Sequence, residues 1–155
     1  MKKKVLSLLV LISVFSTFVL SVSAFDQPFM KAAKVDLNKA KNALKRAMAD
    51  KGGHRNNAMN LVDKAISQVE AGIAYDKKNP NNRPKRNSDF EENEALSLAN
   101  ADQPNMKIAR DHLQNALNNL EKATADKGGY RVNAMQIVRD AISEVNKGIE
   151  YDRKN

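Results

Sequence analysis

The side chains best equipped for chemistry in this 155-residue chain stand at positions that occur twice. Asp50-Lys51-Gly52-Gly53-His54-Arg55 returns 76 residues later as Asp126-Lys127-Gly128-Gly129-Tyr130-Arg131, and Tyr75-Asp76 returns as Tyr151-Asp152. Basic groups beside a glycine pair and a helix start are suited to anions, because the free amides of the first helical turn add to the side-chain donors. His54, Arg55, Tyr130 and Arg131, with Lys51 and Lys127, therefore form a candidate rim for an anion or a partner. Turn chemistry and dipole pairing are the competing explanation. Arginine at a helix start is poorly placed for the dipole, which keeps the binding reading open.

A second candidate is made of carboxylates. Asp26, Asp76, Asp102 and Asp152 are expected at the opposite end of the molecule, where four oxygen donors would suit a hard divalent cation. Against this, Asp26 and Asp102 also fit as helix N-caps ahead of Pro28 and Pro104, and the neighbouring tyrosines fit as lids on a core. The only histidines are His54 and His112. His112 lies roughly 21 Å along its helix from the glycine turn, too far to share a metal with His54.

Catalytic machinery is not expected. The chain has no cysteine, no Glu-x-x-His pair of the di-iron bundles and no serine in a nucleophile elbow. Each Lys-Gly-Gly ends a helix and does not open a phosphate loop. The sequence thus reads as non-enzymatic, without a cofactor beyond the divalent cation just considered. Nucleic acid is not an expected partner, since the apolar seams carry almost no aromatics for stacking.

The N-terminus reads as a secretory signal. Met1-Lys2-Lys3-Lys4 is a basic start, Val5 to Leu20 is apolar but interrupted by serines and a threonine, and Val22-Ser23-Ala24 offers a cleavage site. The run falls short of the roughly twenty apolar residues of a membrane span. Cleavage after Ala24 is expected, giving a secreted or periplasmic product without stable membrane insertion. It removes three lysines and no acid, lowering the formal charge from +8 to +5.

Residues 26–79 align on 102–155 without a gap, with 31 of 54 positions identical. Met30, Ala33, Leu37, Ala40, Leu44 and Ala47 recur at spacings of 3 and 4, which predicts a helix over about 28–50 with alternating large and small layers. Gly52-Gly53 is its expected stop, since glycine reaches the left-handed conformation at no Cβ cost. The second helix starts near His54 or Arg55, with a seam of Met59, Val62, Ile66, Val69 and Ile73 flanked by Ala58, Ala65 and Gly72. The second copy repeats both patterns.

Each short turn makes an antiparallel hairpin, and two hairpins together close a core. The expectation is an all-α, four-helix up-down-up-down bundle built from two tandem hairpins, with both glycine turns at one end. The organisation is a signal peptide over 1–24, hairpins over 25–79 and 102–155, and a linker over 80–101. Lys77 to Asn87 reads as a basic loop, and Ser88-Asp89-Phe90-Glu91 as a capping box opening a short helix over about 89–100. The basic run precedes a −4 segment, which favours self-neutralisation.

The run Asp50 to Arg55, with Ala58, Ala65-Ile66, Gly72-Ile73 and Tyr75-Asp76, resembles a motif of small exported bacterial helical-hairpin repeat proteins, most of them without an assigned function. The resemblance covers nearly the whole mature chain and implies an exported helical protein. A looser similarity, in size and export, is to the periplasmic small metal-binding helical proteins. Those are rich in histidine, whereas this chain has Phe29 and Asn105 where that motif has a histidine before the methionine. The function expected is that of an exported binding or structural protein with an envelope or extracellular partner. A periplasmic divalent-metal binder is the alternative, and an envelope anionic-surface binder using the Lys77–Arg86 loop is a third. A homodimer is also left open.

Overall fold

The computed structural model describes residues 27–49, 51–79, 104–124 and 128–154. Four helices account for almost all of them: α1 (Pro28–Arg46), α2 (His54–Lys78), α3 (Pro104–Lys122) and α4 (Tyr130–Lys154). They form the expected all-α four-helix bundle of two hairpins. Around the bundle the order is α1, α2, α4, α3, and α1 packs on α2 and α3 while α4 packs on α2 and α3. Neighbours alternate up and down around this ring.

In chain order the second hairpin is inverted relative to the first. Asn105 at the start of α3 donates to the Arg46 carbonyl at the end of α1, and Gly52 adjoins Tyr151 just as Gly128 adjoins Tyr75. The hairpins are therefore related by an approximate two-fold axis perpendicular to the helices. This corrects the placement of both glycine turns at one end: they lie at opposite ends, separated by the helix length of roughly 37 Å. Two hairpins with the same apolar pattern bury the same seams whichever way one of them points, so end-to-end contacts decide the direction.

The core follows the α1 pattern. Met30, Leu37 and Leu44 are fully buried with Ala33 and Ala40, and Met106, Leu113 and Leu120 repeat them in α3. Each such large side chain stabilises the fold by roughly 1.5–3 kcal/mol. On α2 the seam differs from the expectation. Its centre is Ala58, Val62, Ala65, Val69 and Gly72, while Met59, Ile66 and Ile73 lie half-buried along the edge. Close helix approach selects the small residues: a Cβ added to Gly148 would stand 2.7 Å from Cε of Met106.

Helix α1 ends at Arg46, not near residue 50. Ala47 turns to extended backbone (φ −65°, ψ 150°), although Ala47-Met48-Ala49 are good helix formers. Tertiary contacts override propensity here. Leaving the helix early lets Lys51, only 2% exposed, reach Asp152 of the other hairpin. The glycines consequently do not stop α1. Gly52 and Gly53 have φ of +56° and +79°, and Gly53 is the residue from which α2 starts. Lys77 and Lys78, expected in the basic loop, form the last turn of α2, where cations suit the helix dipole. The signal peptide, the rest of the linker with its expected short helix, Asp26 and Asp102 lie outside the described residues.

Candidate functional site

Because the hairpins are inverted, the two candidate clusters are each divided between the ends of the bundle. His54 and Arg55 lie at the end that carries Tyr151 and Asp152, while Tyr130 and Arg131 lie with Tyr75 and Asp76. The anion-binding rim is thus not assembled, and Lys127 falls outside the described residues. The four-carboxylate site is not assembled either, since Asp76 and Asp152 are a bundle length apart. Among the described residues no group of three or more histidine, aspartate or glutamate side chains converges as a metal would require.

The arginines serve the fold. Arg55 Nη1 donates to the Ala47 carbonyl at 2.8 Å, and Arg131 Nη1 donates to the Leu120 carbonyl at 3.0 Å. Each reaches back across its turn to a carbonyl at the end of the preceding helix, a group with no partner further along that helix. That geometry answers the sequence puzzle of an arginine at a helix start: it acts on the negative end of the previous helix. At the far end Tyr75 meets Tyr130 with ring centroids 6.3 Å apart and planes tilted by 59°, a favourable aromatic arrangement.

Among the described residues, the buried polar side chains are Gln27, Lys51 and Asp76, all near the ends of the bundle. Gln27 Nε2 donates to the Ile73 carbonyl at 2.9 Å and reaches Asp76 Oδ2 at 3.4 Å. Lys51 pairs with Asp152 across the hairpins. A buried charge without such partners would be strongly destabilising.

A polar cluster surrounds Glu144, a residue the sequence reading did not single out. Its carboxylate accepts from His54 Nδ1 at 2.9 Å, Asn57 Nδ2 at 3.1 Å and Lys147 Nζ at 2.7 Å. The His54 hydrogen bond, then that of Lys147, hold its pKa down to about 2. A carboxylate so stabilised is a poor base but a durable polar anchor. It borders an open groove of about 480 Å³ between α2 and α4, whose lining includes Asn57, Asn60, Lys64, Asp140 and Lys147. A signal for the cluster does exist in sequence: the other copy has Tyr130 for His54 and Gln68 for Glu144, so both members of the pair change together.

A third feature lies on the two-fold axis. Asp36 and His112 occupy the same repeat position and face each other from α1 and α3, with Oδ1 and Nδ1 3.8 Å apart. Asn119 donates to Asp36 at 2.9 Å. Burial pushes His112 below its usual range and Asp36 above its own, the opposing charge offsetting part of each shift. His112 Nδ1 is buried without a hydrogen-bond partner among the described residues.

No helix among the described residues is long and apolar enough to cross a membrane. Comparison with known protein families, curated proteins and solved structures finds no match to this chain.

Proposed function

We propose that this chain is an exported, non-enzymatic binding or structural protein that acts through the outer surface of a rigid helical bundle. The observation that carries the proposal is the use made of the repeated motif. Lys51, Gly52 and Arg55, with Gly128 and Arg131, are engaged in turns, helix ends and the junction between hairpins. What remains for function is surface, including the open polar groove between α2 and α4. The export part of the proposal rests on the basic start, apolar run and small-residue cleavage site of residues 1–24.

Two measurements test it. The intact mass of protein made in a secreting host should place the N-terminus at Phe25, and a full-length cytoplasmic product would refute export. Immobilised residues 25–155 should retain a component of the cell envelope, and native mass spectrometry of the eluate should identify what is bound. A stoichiometric divalent ion in that spectrum would instead make the chain a cation-binding protein.

A further inference from the structure

The junction between the hairpins uses two kinds of contact. One kind is built from residues that both copies share. Lys51 pairs with Asp152 and Gly52 adjoins Tyr151, and the same residue types recur as Lys127, Asp76, Gly128 and Tyr75. Such contacts suit two like hairpins as well as two unlike ones. The other kind is built from positions at which the copies differ, and there the residues are complementary across the junction.

Three places show it. Asp36 and His112 hold one repeat position and face each other across the two-fold axis, Oδ1 to Nδ1 at 3.8 Å. Asn119, where the first copy has Ala43, donates to Asp36 at 2.9 Å. On the opposite side of the bundle Lys64 and Asp140 also hold one repeat position, and they line a single groove between α2 and α4. Both are exposed, and Asp140 accepts from Gln136, a neutral donor, at 3.0 Å. Finally, His54 donates to Glu144 at 2.9 Å, whereas the equivalent positions of the other half hold Tyr130 and Gln68.

Like hairpins set in the same arrangement lose all three matches. Two first hairpins place Asp36 beside Asp36, Lys64 beside Lys64 and His54 beside Gln68. Two second hairpins place His112 beside His112, Asp140 beside Asp140 and Tyr130 beside Glu144. The clash at the axis is poorly screened, since the Asp36 side chain is only 14% exposed.

We propose that the two hairpins are a mutually selective pair, each fitted to the unlike half and set against its own kind. Shared apolar seams supply the affinity. The three differing places supply the choice, because specificity is a difference between the right partner and the wrong ones. The partner that the inner face of either hairpin fits is the unlike hairpin, of the same chain or of a second copy. Copies that join by exchanging halves therefore do so first hairpin on second. This selectivity is independent of what the outer surface binds.

The test starts from folded residues 25–155 carrying a site-specific protease sequence inserted after Ser88. The assembled bundle is cut, unfolded in urea and returned to buffer, and native mass spectrometry separates the possible pairings by mass. Random pairing gives like and unlike pairs in equal numbers. Unlike pairs are expected in at least about tenfold excess. A chain equalised at the three places, Asp36→Asn/His112→Asn/Lys64→Gln/Asp140→Gln/His54→Tyr/Glu144→Gln, should return toward equal numbers. A chain with the axial residues exchanged, Asp36→His/His112→Asp/Lys64→Asp/Asp140→Lys, should keep the excess, because each unlike pair survives with its members interchanged. Circular dichroism of the uncut chains establishes that they fold. Should the equalised chain fail to fold, Lys64→Asp alone makes one exposed place the same in every pairing and should lower the excess at least about twofold. Equal numbers from the parent, an equalised chain as selective as the parent, an exchanged chain that loses the excess, or no effect of Lys64→Asp would each overturn the proposal.

Discussion

Gly52 of the first hairpin is held against the ring of Tyr151 in the second: a Cβ built on the glycine would stand 2.8 Å from Cδ2 and 3.0 Å from Cε2. Gly128 meets Tyr75 in the same way, at 2.9 Å from both ring atoms. These paired contacts join left-handed backbone to tertiary packing at each end of the bundle.

Gly52→Ala and Gly128→Ala should each lower stability by more than about 1 kcal/mol, combining backbone strain with displacement of a ring. Gly53→Ala should cost less, because nothing lies within 4 Å of its added Cβ although its φ is +79°. In a Tyr151→Ala background the Gly52→Ala penalty should shrink, with a coupling of roughly 0.5–2 kcal/mol. Urea denaturation followed by circular dichroism measures all four. Equal costs at Gly52 and Gly53 would remove the tyrosine from the explanation.

Arg55→Ala and Arg131→Ala should each cost about 0.5–1.5 kcal/mol, the usual net worth of one hydrogen bond. The loss arises because the Ala47 and Leu120 carbonyls give up their guanidinium donors. The double variant should melt lower and keep whatever the envelope pull-down retains. A double variant that melts like the parent but loses retention would return the arginines to a binding role.

Glu144 makes stability depend on acid. Its folded pKa, about 2, lies below the ordinary 4.5, so its contribution is complete above 4.5 and is lost as pH falls through about 2. Glu144→Gln should therefore destabilise at neutral pH, and the gap to the parent should close toward pH 2. Combining it with His54→Tyr copies the Tyr130 and Gln68 arrangement of the other half and should recover part of the loss. Thermal melts across pH decide the matter, and a constant gap at every pH would contradict it.

The pair on the two-fold axis titrates in the opposite sense at its acidic member. His112 is held below 6.5, so its contribution is present above that value and is lost as pH falls below it. Asp36 is raised above 3.8, so its contribution is present at low pH and is lost as pH rises through the folded value. Asp36→Asn should accordingly increase stability at neutral pH while lowering the His112 pKa further, since the carboxylate raises it. Lys39→Ala should raise the His112 pKa, because the ammonium lowers it. Proton NMR of the His112 ring reads both shifts, and movement in the reverse directions would refute the assignment.

Residues 25–79 alone should be partly unfolded or should self-associate, because the seams of one hairpin close only on another. Self-pairing about the same axis sets Asp36 against Asp36 of the second copy, two half-buried like charges. Asp36→Asn should therefore tighten the fragment's dimer in sedimentation equilibrium. A stable monomeric hairpin would show that the two halves fold independently.

The parts legible in sequence were those set by local pattern. The 3-and-4 spacing of Met30 to Leu44 and the gapless duplication identify the helices and their core faces. The half-buried edge of α2 was misread, because Ile66 and Val69 look equivalent by hydrophobicity, and only the closeness of neighbouring helices puts Ala65 inside. The stop of α1 was hidden for a similar reason: nothing in Ala47-Met48-Ala49 resists helix, and the buried Lys51 partner that draws the chain away lies 101 residues further on. Both candidate sites depended on which ends of the hairpins meet, a property that two like repeats leave undetermined.

The near two-fold symmetry has a consequence for how the bundle responds to dilution. A hairpin that assembled only with a separate copy would dissociate as concentration fell. Here the partner is tethered: α2 ends and α3 begins at opposite ends of the bundle, and residues 79–103 join them. Fully extended, that connection reaches roughly 80 Å, about twice the distance to be crossed. Tethering turns the encounter of the two hairpins into an intramolecular step with an effective concentration on the order of millimolar, so the assembled surface persists at dilutions where free hairpins would come apart.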